Sequence, residues 1–139
     1  MLGEHGSTQV LLFSTAKING QPVDVSEDIQ KTIYSEIPMI LKTLEELQAG
    51  RTAGWTCAVG LAEYVRAIQA NNGTVVPCSV VLKGEYGVSD ISMSVPAVLG
   101  AKGVEKVQEL PLSEDEQRRL KITVDTLTPN MRKVEELLA

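Results

Sequence analysis

The stretch from Thr74 to Leu110 places the strongest limit on what this chain can fold into. It holds three extended segments separated by two short, glycine-bearing turns. Thr74 to Leu82 is continuous and rich in β-branched residues. Pro77 inside it predicts an edge strand or a bulge, because proline cannot donate to a central ladder. Lys83-Gly84-Glu85-Tyr86-Gly87 is a turn. Val88 to Val95 then alternates, with Ile91, Met93 and Val95 on one face and Asp90, Ser92 and Ser94 on the other. Pro96-Ala97-Val98-Leu99 continues it. Gly100-Ala101-Lys102-Gly103 turns the chain again, and Val104 to Leu110 returns with weaker alternation. Connections this short join antiparallel neighbours. The region is predicted to be an antiparallel meander with one solvated face.

Helical patterns flank the meander. Ser26 caps a predicted helix whose first turn carries Glu27 and Asp28, where the helix dipole favours acids. Ile29, Ile33, Ile37, Ile40 or Leu41, Leu44 and Leu47 recur at helical spacing. Pro38 should kink or divide this helix near Glu36–Ile37, and Gly50 should stop it. The small, polar, glycine-punctuated run from Ala49 to Thr56 leads into a second helix. Its predicted buried stripe is Ala58, Leu61, Ala62, Val65 and Ile68, and Asn71-Asn72-Gly73 ends it. The last helix opens on the capping box Ser113-x-x-Glu116. Its stripe is Leu120, Val124, Leu127, Met131, Val134 and Leu138. Pro129 predicts a kink or division near Asp125, and Arg118, Arg119 and Lys121 form a predicted solvated face. Ahead of all this, Gln9 to Lys17 is extended, Asn19-Gly20 is a strong turn signal and Gln21-Pro22-Val23 follows as a short return. The order β, α, α, β-β-β, α predicts a single α+β domain over residues 1–139, its mostly antiparallel sheet packed by long helices.

Charge and composition exclude several function classes. A net charge of −5 argues against nucleic acid, whose phosphates need a basic footprint, and 4% aromatics offer no stacking platform for bases. No apolar run approaches the ~18 residues of a membrane span, and no signal-peptide pattern opens the chain. A soluble, cytoplasmic protein is expected. Cys57 and Cys78 lie in apolar surroundings and are predicted to be buried free thiols; with one histidine they supply too few soft ligands for zinc. There is no G-x-G-x-x-G, no phosphate-binding P-loop and no G-x-S-x-G elbow. The chain carries no nucleotide-binding fingerprint of its own.

One residue remains as a candidate for chemistry. His5 is the sole histidine and sits in the glycine-flanked turn Gly3-Glu4-His5-Gly6. The polar run Ser7-Thr8-Gln9 and the apolar run Val10-Leu11-Leu12-Phe13 follow it. An imidazole, with a pKa near ~6.5, serves as acid or base around neutrality. A histidine in such a turn is more often a surface residue than a catalyst, so the rest of the chain has to decide.

Several separate stretches together resemble one family, the L-lactate/malate dehydrogenases and related L-2-hydroxyacid dehydrogenases. Gly3-Glu4-His5-Gly6 resembles the turn that holds this family's catalytic histidine. Lys83-Gly84-Glu85-Tyr86-Gly87-Val88-Ser89-Asp90 is similar to its G-x-Y-G-I-x-D hairpin, and Ser94-Val95-Pro96-Ala97-Val98-Leu99-Gly100 to its S-V-P-x-x-[LI]-G strand. Gly103-Val104-Glu105-Lys106-Val107, running on to Leu112-Ser113-x-x-Glu116, is similar to the strand and helix that close the family's chain. No one motif is specific; their order and spacing over nearly the whole chain carry the resemblance. It covers only the family's C-terminal, substrate-side half, which explains why the glycine fingerprint is missing.

The resemblance implies an oxidoreductase that moves a hydride between NAD and an L-2-hydroxyacid such as malate or lactate. His5 would give or take the proton at the substrate oxygen. It also implies that the NAD-binding Rossmann domain, the aspartate that orients the histidine and the arginines that hold the substrate carboxylate belong to the half not matched. Met1 falls just before the histidine turn, so a truncated product, an excised domain, a half made by design or a misplaced gene start is expected. Asp115 and Arg118 share a D-x-x-R spacing but are no substitute. Ser7 stands where the family often has an acid, as in some 2-hydroxyacid members. The family's pocket-lining threonine or small residue falls in Arg51-Thr52-Ala53-Gly54-Trp55-Thr56, one residue longer than the pattern. Thr52 and Thr56 are both candidates for substrate binding, and both also suit a helix cap. Alone, the chain is expected to bind no cofactor and show no dehydrogenase activity. A homo-oligomer is expected, and the alternative reading is a non-catalytic interaction or oligomerisation module derived from the same domain.

Overall fold

The computed structural model describes residues 1–46 and 54–138. A three-stranded antiparallel sheet forms the centre, with strand order β3-β4-β5: β3 is Thr74–Lys83, β4 is Ser89–Gly100 and β5 is Gly103–Val107. This is the expected meander. Pro77 lies on the edge strand β3, opposite Pro96 of β4. On β4 the alternation holds without a break: Ile91, Met93, Val95, Ala97 and Leu99 are buried, and the residues between them are not. Leu2, Val10, Leu82, Val88, Val107 and Leu120 complete the core around this row. The return strand stops at Val107, short of Leu110. From there Gln108–Leu110 is held against the β3–β4 turn instead. The Tyr86 hydroxyl accepts from the Leu110 amide at 3.0 Å, and the Tyr86 amide donates to the Glu109 carboxylate at 2.6 Å.

The N-terminal third is less regular than its apolar pattern predicts. Of Gln9 to Lys17, only Val10 and Lys17 pair as strand. Lys17–Ile18 (β1) and Gln21–Pro22 (β2) form a small hairpin around Asn19-Gly20. Both turn residues have positive φ, 51° and 79°, as a two-residue hairpin with matching twist requires.

Helix α1 spans Glu27–Glu46, α2 spans Gly54–Ala70 and α3 spans Glu114–Leu138. The Ser26 hydroxyl meets the Ile29 amide at 3.5 Å, and the Ser113–Glu116 capping box closes in both directions. Neither internal proline divides its helix: α1 runs through Pro38 and α3 through Pro129. Both prolines lie on exposed faces, so water can reach the carbonyls they leave without partners. Gly50, the expected stop of α1, and Leu47 lie outside the described residues.

Three sequence expectations about burial fail. On α2, Leu61, Val65 and Ile68 are 64%, 52% and 37% exposed, so the predicted buried stripe faces outward. The side of α2 turned to the sheet carries Gly60, Tyr64 and Ala67; Ala67 is buried and the Tyr64 hydroxyl donates to the Pro77 carbonyl. Ala67 is the one buried residue of α2, and the larger apolar side chains Leu61, Val65 and Ile68 lie outside. Cys57, on the same helix, is exposed and Cys78 is half-buried, so neither is the buried thiol expected. Finally, Arg119 is not simply part of a solvated face. Its guanidinium lies 4.2 Å from the Tyr34 ring centroid and its Nε donates to Asp115 at 2.6 Å. This ties α3 to α1.

Candidate active site

His5 sits at the tip of a loop whose stem is fixed by backbone pairing. The Leu2 amide donates to the Val10 carbonyl at 2.8 Å and the Val10 amide to the Leu2 carbonyl at 2.9 Å. One residue further on, Gly3 and Ser94 exchange both amide–carbonyl bonds, each at 2.9 Å, which fastens the loop to the middle of β4. Leu2 and Val10 are fully buried, so the stem is part of the core and the tip is not. His5 itself is exposed.

Two further contacts shape the tip. The Glu4 carboxylate turns back across Gly6 and accepts from the Thr8 hydroxyl and the Thr8 amide. A side chain at position 6 would push that carboxylate off Thr8, because a Cβ there would lie 2.5 Å from Glu4 Oε1. From below, the Thr123 hydroxyl of α3 donates to the Thr8 carbonyl. Thr123 is fully buried and its methyl lies against Gly3, which has φ +91°. Strand β4, helix α3 and the loop's own stem thus all set the position of the backbone carrying His5. Preorganisation of this kind is what a proton-transfer group requires.

The His5 loop and α1 border a cavity of about 350 Å³ lined by His5, Gly6, Gln9, Ile37 and Ile40. Thr56 is elsewhere among the described residues: it lies in the first turn of α2, exposed, and does not line this cavity. Thr52 lies outside the described residues. Gly3 and Thr123 are the positioning residues that the sequence reading missed. Thr123 is polar in the middle of an apolar stripe, and its one visible signal was that it fell on the buried side of α3 between Leu120 and Val124.

The described residues form no Rossmann-type dinucleotide cradle. Every strand pair among the described residues is antiparallel, so there is no parallel strand–helix–strand unit to aim a helix N-terminus at a pyrophosphate. Among the described residues no group of three acidic, cysteine or histidine side chains gathers as a metal site. No helix there is long and apolar enough to cross a membrane.

Residues 1–138 match the family model described as lactate/malate dehydrogenase, alpha/beta C-terminal domain. The chain belongs to this family. A malate dehydrogenase of Halobacterium salinarum is 38% identical over 128 residues, covering 92% of this chain and 41% of the relative. An L-lactate dehydrogenase of Fusobacterium nucleatum is 39% identical, covering 85% and 39%. The solved malate dehydrogenase from Aeropyrum pernix superposes with a TM-score of 0.83 at 32% identity, covering 95% of this chain and 44% of that one. The chain therefore spans less than half the length of these lactate/malate dehydrogenases. The α+β fold with its antiparallel sheet is that of the family's C-terminal domain.

Proposed function

We propose that this chain is the substrate-side half of an NAD-dependent L-2-hydroxyacid dehydrogenase and that His5 moves the proton. The observation that carries the reading is the anchoring of the His5 loop, by Gly3 to β4 and by Thr8 to Thr123, with the imidazole left exposed at the tip. In reduction of a 2-oxo acid His5 gives its proton to the substrate oxygen; in oxidation of the hydroxyacid it takes that proton back. NAD, which supplies the hydride chemistry, is held by a companion half in this reading, since the described residues form no parallel strand–helix–strand unit. The companion also supplies the carboxylate-binding arginines and the aspartate that orients the imidazole. Thr52 and Thr56 are the residues that the resemblance offers for contact with the substrate. Malate and lactate, the acids in the relatives' names, are the parent substrates in this reading, which takes the assembled enzyme to be cytoplasmic.

By itself the chain has no dehydrogenase activity in this reading. The test is to mix it with the separately purified NAD-binding half of a relative and follow NADH oxidation with pyruvate and with oxaloacetate. Turnover should appear only in the mixture and be lost with His5→Gln. Turnover by the chain alone, or an unaffected His5→Gln mixture, overturns the reading.

A second reading, an assembly module, draws on the outward apolar face of α2. Trp55 is 91% exposed and Val59, one turn on, is 63% exposed, while Leu61 and Val65 are exposed on the adjoining side of the helix. Apolar area of this kind marks an interaction surface. It is compatible with the first reading, because the half-enzyme and its homo-oligomer would both use it.

A further inference from the structure

We propose that the cavity between the β3–β4 turn and the first half of α3 is a binding site for a medium-chain aliphatic carboxylate. None of its lining residues belongs to the His5 cavity, so the proposal is independent of the reading of His5 as the proton carrier.

The cavity has a volume of about 510 Å³, within the range of small-molecule sites. Its floor is the chain's own core. Val88 and Leu120 are buried members of the central hydrophobic cluster, and Leu112, Val124 and Tyr86 pack against that cluster. An aliphatic tail laid on this floor leaves water without needing a polar partner. The wall made by the turn is fixed. The Tyr86 hydroxyl accepts from the Leu110 amide at 3.0 Å and donates to the Gln108 carbonyl at 3.3 Å. The ring is thus tied at its far end and does not swing in to fill the space.

The opposite wall supplies the head group's partner. Gln117 and Lys121 line the cavity from successive turns of α3, four residues apart and therefore side by side on the helix surface. Leu120 and Val124, at the same spacing, form the apolar row beside them. The Gln117 amide nitrogen is committed to the Leu112 carbonyl at 3.0 Å. Lys121 is the one charged side chain among the described residues that line the cavity. A lysine so placed lays its methylenes along the apolar wall and keeps its ammonium in water. Positive charge then stands at the mouth of an apolar floor, which complements an aliphatic tail that ends in a carboxylate. The turn side carries Glu109, whose carboxylate accepts the Tyr86 amide at 2.6 Å. Its charge repels an anionic head from that side and leaves the Lys121 side for it.

The full chain, with leucine and valine methyl groups labelled, is titrated by NMR with octanoate, butanoate and 1-octanol at constant ionic strength. Octanoate should shift the Val88, Leu120 and Val124 methyls together and leave the imidazole signals of His5, the sole histidine, in place. It should bind at least about tenfold more tightly than butanoate, since each methylene taken from water is worth about a factor of three to four. Lys121→Gln should weaken octanoate about threefold, as for an exposed ion pair, and leave 1-octanol unchanged. Equal binding of butanoate and octanoate, no saturable shift of these methyls, or an unaffected Lys121→Gln overturns the proposal. So does movement of the same methyls when the chain is concentrated without ligand, which would show that a second copy covers the cavity.

Discussion

Gly3 and Thr123 are in contact with no room to spare: a Cβ built on Gly3 would lie 2.6 Å from Thr123 Cγ2. Gly3 also has φ +91°, a conformation that residues with a Cβ rarely adopt. Gly3→Ala therefore meets two separate penalties, backbone strain and a collision with a fully buried side chain. It should cost about 2 kcal/mol or more of stability. Adding Thr123→Ser removes the colliding methyl and keeps the hydroxyl on Thr8. The double variant should recover the steric part and keep the strain, so chemical denaturation of the four proteins should give a coupling of about 1 kcal/mol. Strict additivity would mean that the two residues do not meet in solution.

The second long-range lock is a carboxylate. Glu116 closes the cap of α3 by accepting from the Ser113 amide at 2.8 Å. It also takes the Ser14 amide at 2.9 Å and the Ser14 hydroxyl at 2.5 Å, 102 residues upstream. Burial pushes its pKa up, but the donors of Ser14 and Ser113 outweigh this and hold the group below the usual carboxylate range. A folded-state pKa below the unfolded one stabilises the protein above the ordinary carboxylate range, and the stabilisation is lost as pH falls through the depressed value. Glu116→Gln should cost about 1–3 kcal/mol at neutral pH. Urea midpoints for both proteins should converge as pH is lowered below ~4. A gap that stays constant down to strongly acid pH would show that the charge is not what holds Ser14.

His5 should be nearly silent in stability. It is exposed, and the tethers of its loop are made by Leu2, Gly3, Thr8 and Val10, not by the imidazole. His5→Ala is expected to change the unfolding free energy by no more than about 0.5 kcal/mol, the ordinary range for surface substitutions. A loss above about 2 kcal/mol in thermal or chemical denaturation would assign the histidine a structural role.

The meander and the capping box were legible because each follows from local chemistry. Period-two alternation on β4 can be satisfied by one pleated strand, and Ser113 with Glu116 needs only four residues to act. The His5 turn was legible as a candidate through its residue types. Its tethers were not, because Gly3–Ser94 and Thr8–Thr123 join positions far apart in the chain and leave no periodic trace. The burial of α2 was misread for a related reason. Periodicity finds an apolar face without saying what covers it, and Leu61, Val65 and Ile68 point away from the sheet. The side turned to the sheet carries Ala67 and Tyr64 instead.

That outward face leads to the last prediction. Apolar side chains at Leu61 and Val65 more than half exposed on one helix are costly to leave in water, and covering them is the driving force for association. Val65→Glu puts a charge at the middle of the face while touching no residue of the sheet core. The folded chain should keep its thermal midpoint within a few degrees, since a solvent-facing helix position tolerates the change. Its self-association should fall at least about tenfold, because an unpaired charge buried in an apolar contact costs more than the ~1.4 kcal/mol that a factor of ten represents. Sedimentation velocity over a concentration series reads this directly. A wild-type chain that stays monomeric at high micromolar concentration, or a Val65→Glu variant that associates as the wild type does, would remove α2 as the assembly surface.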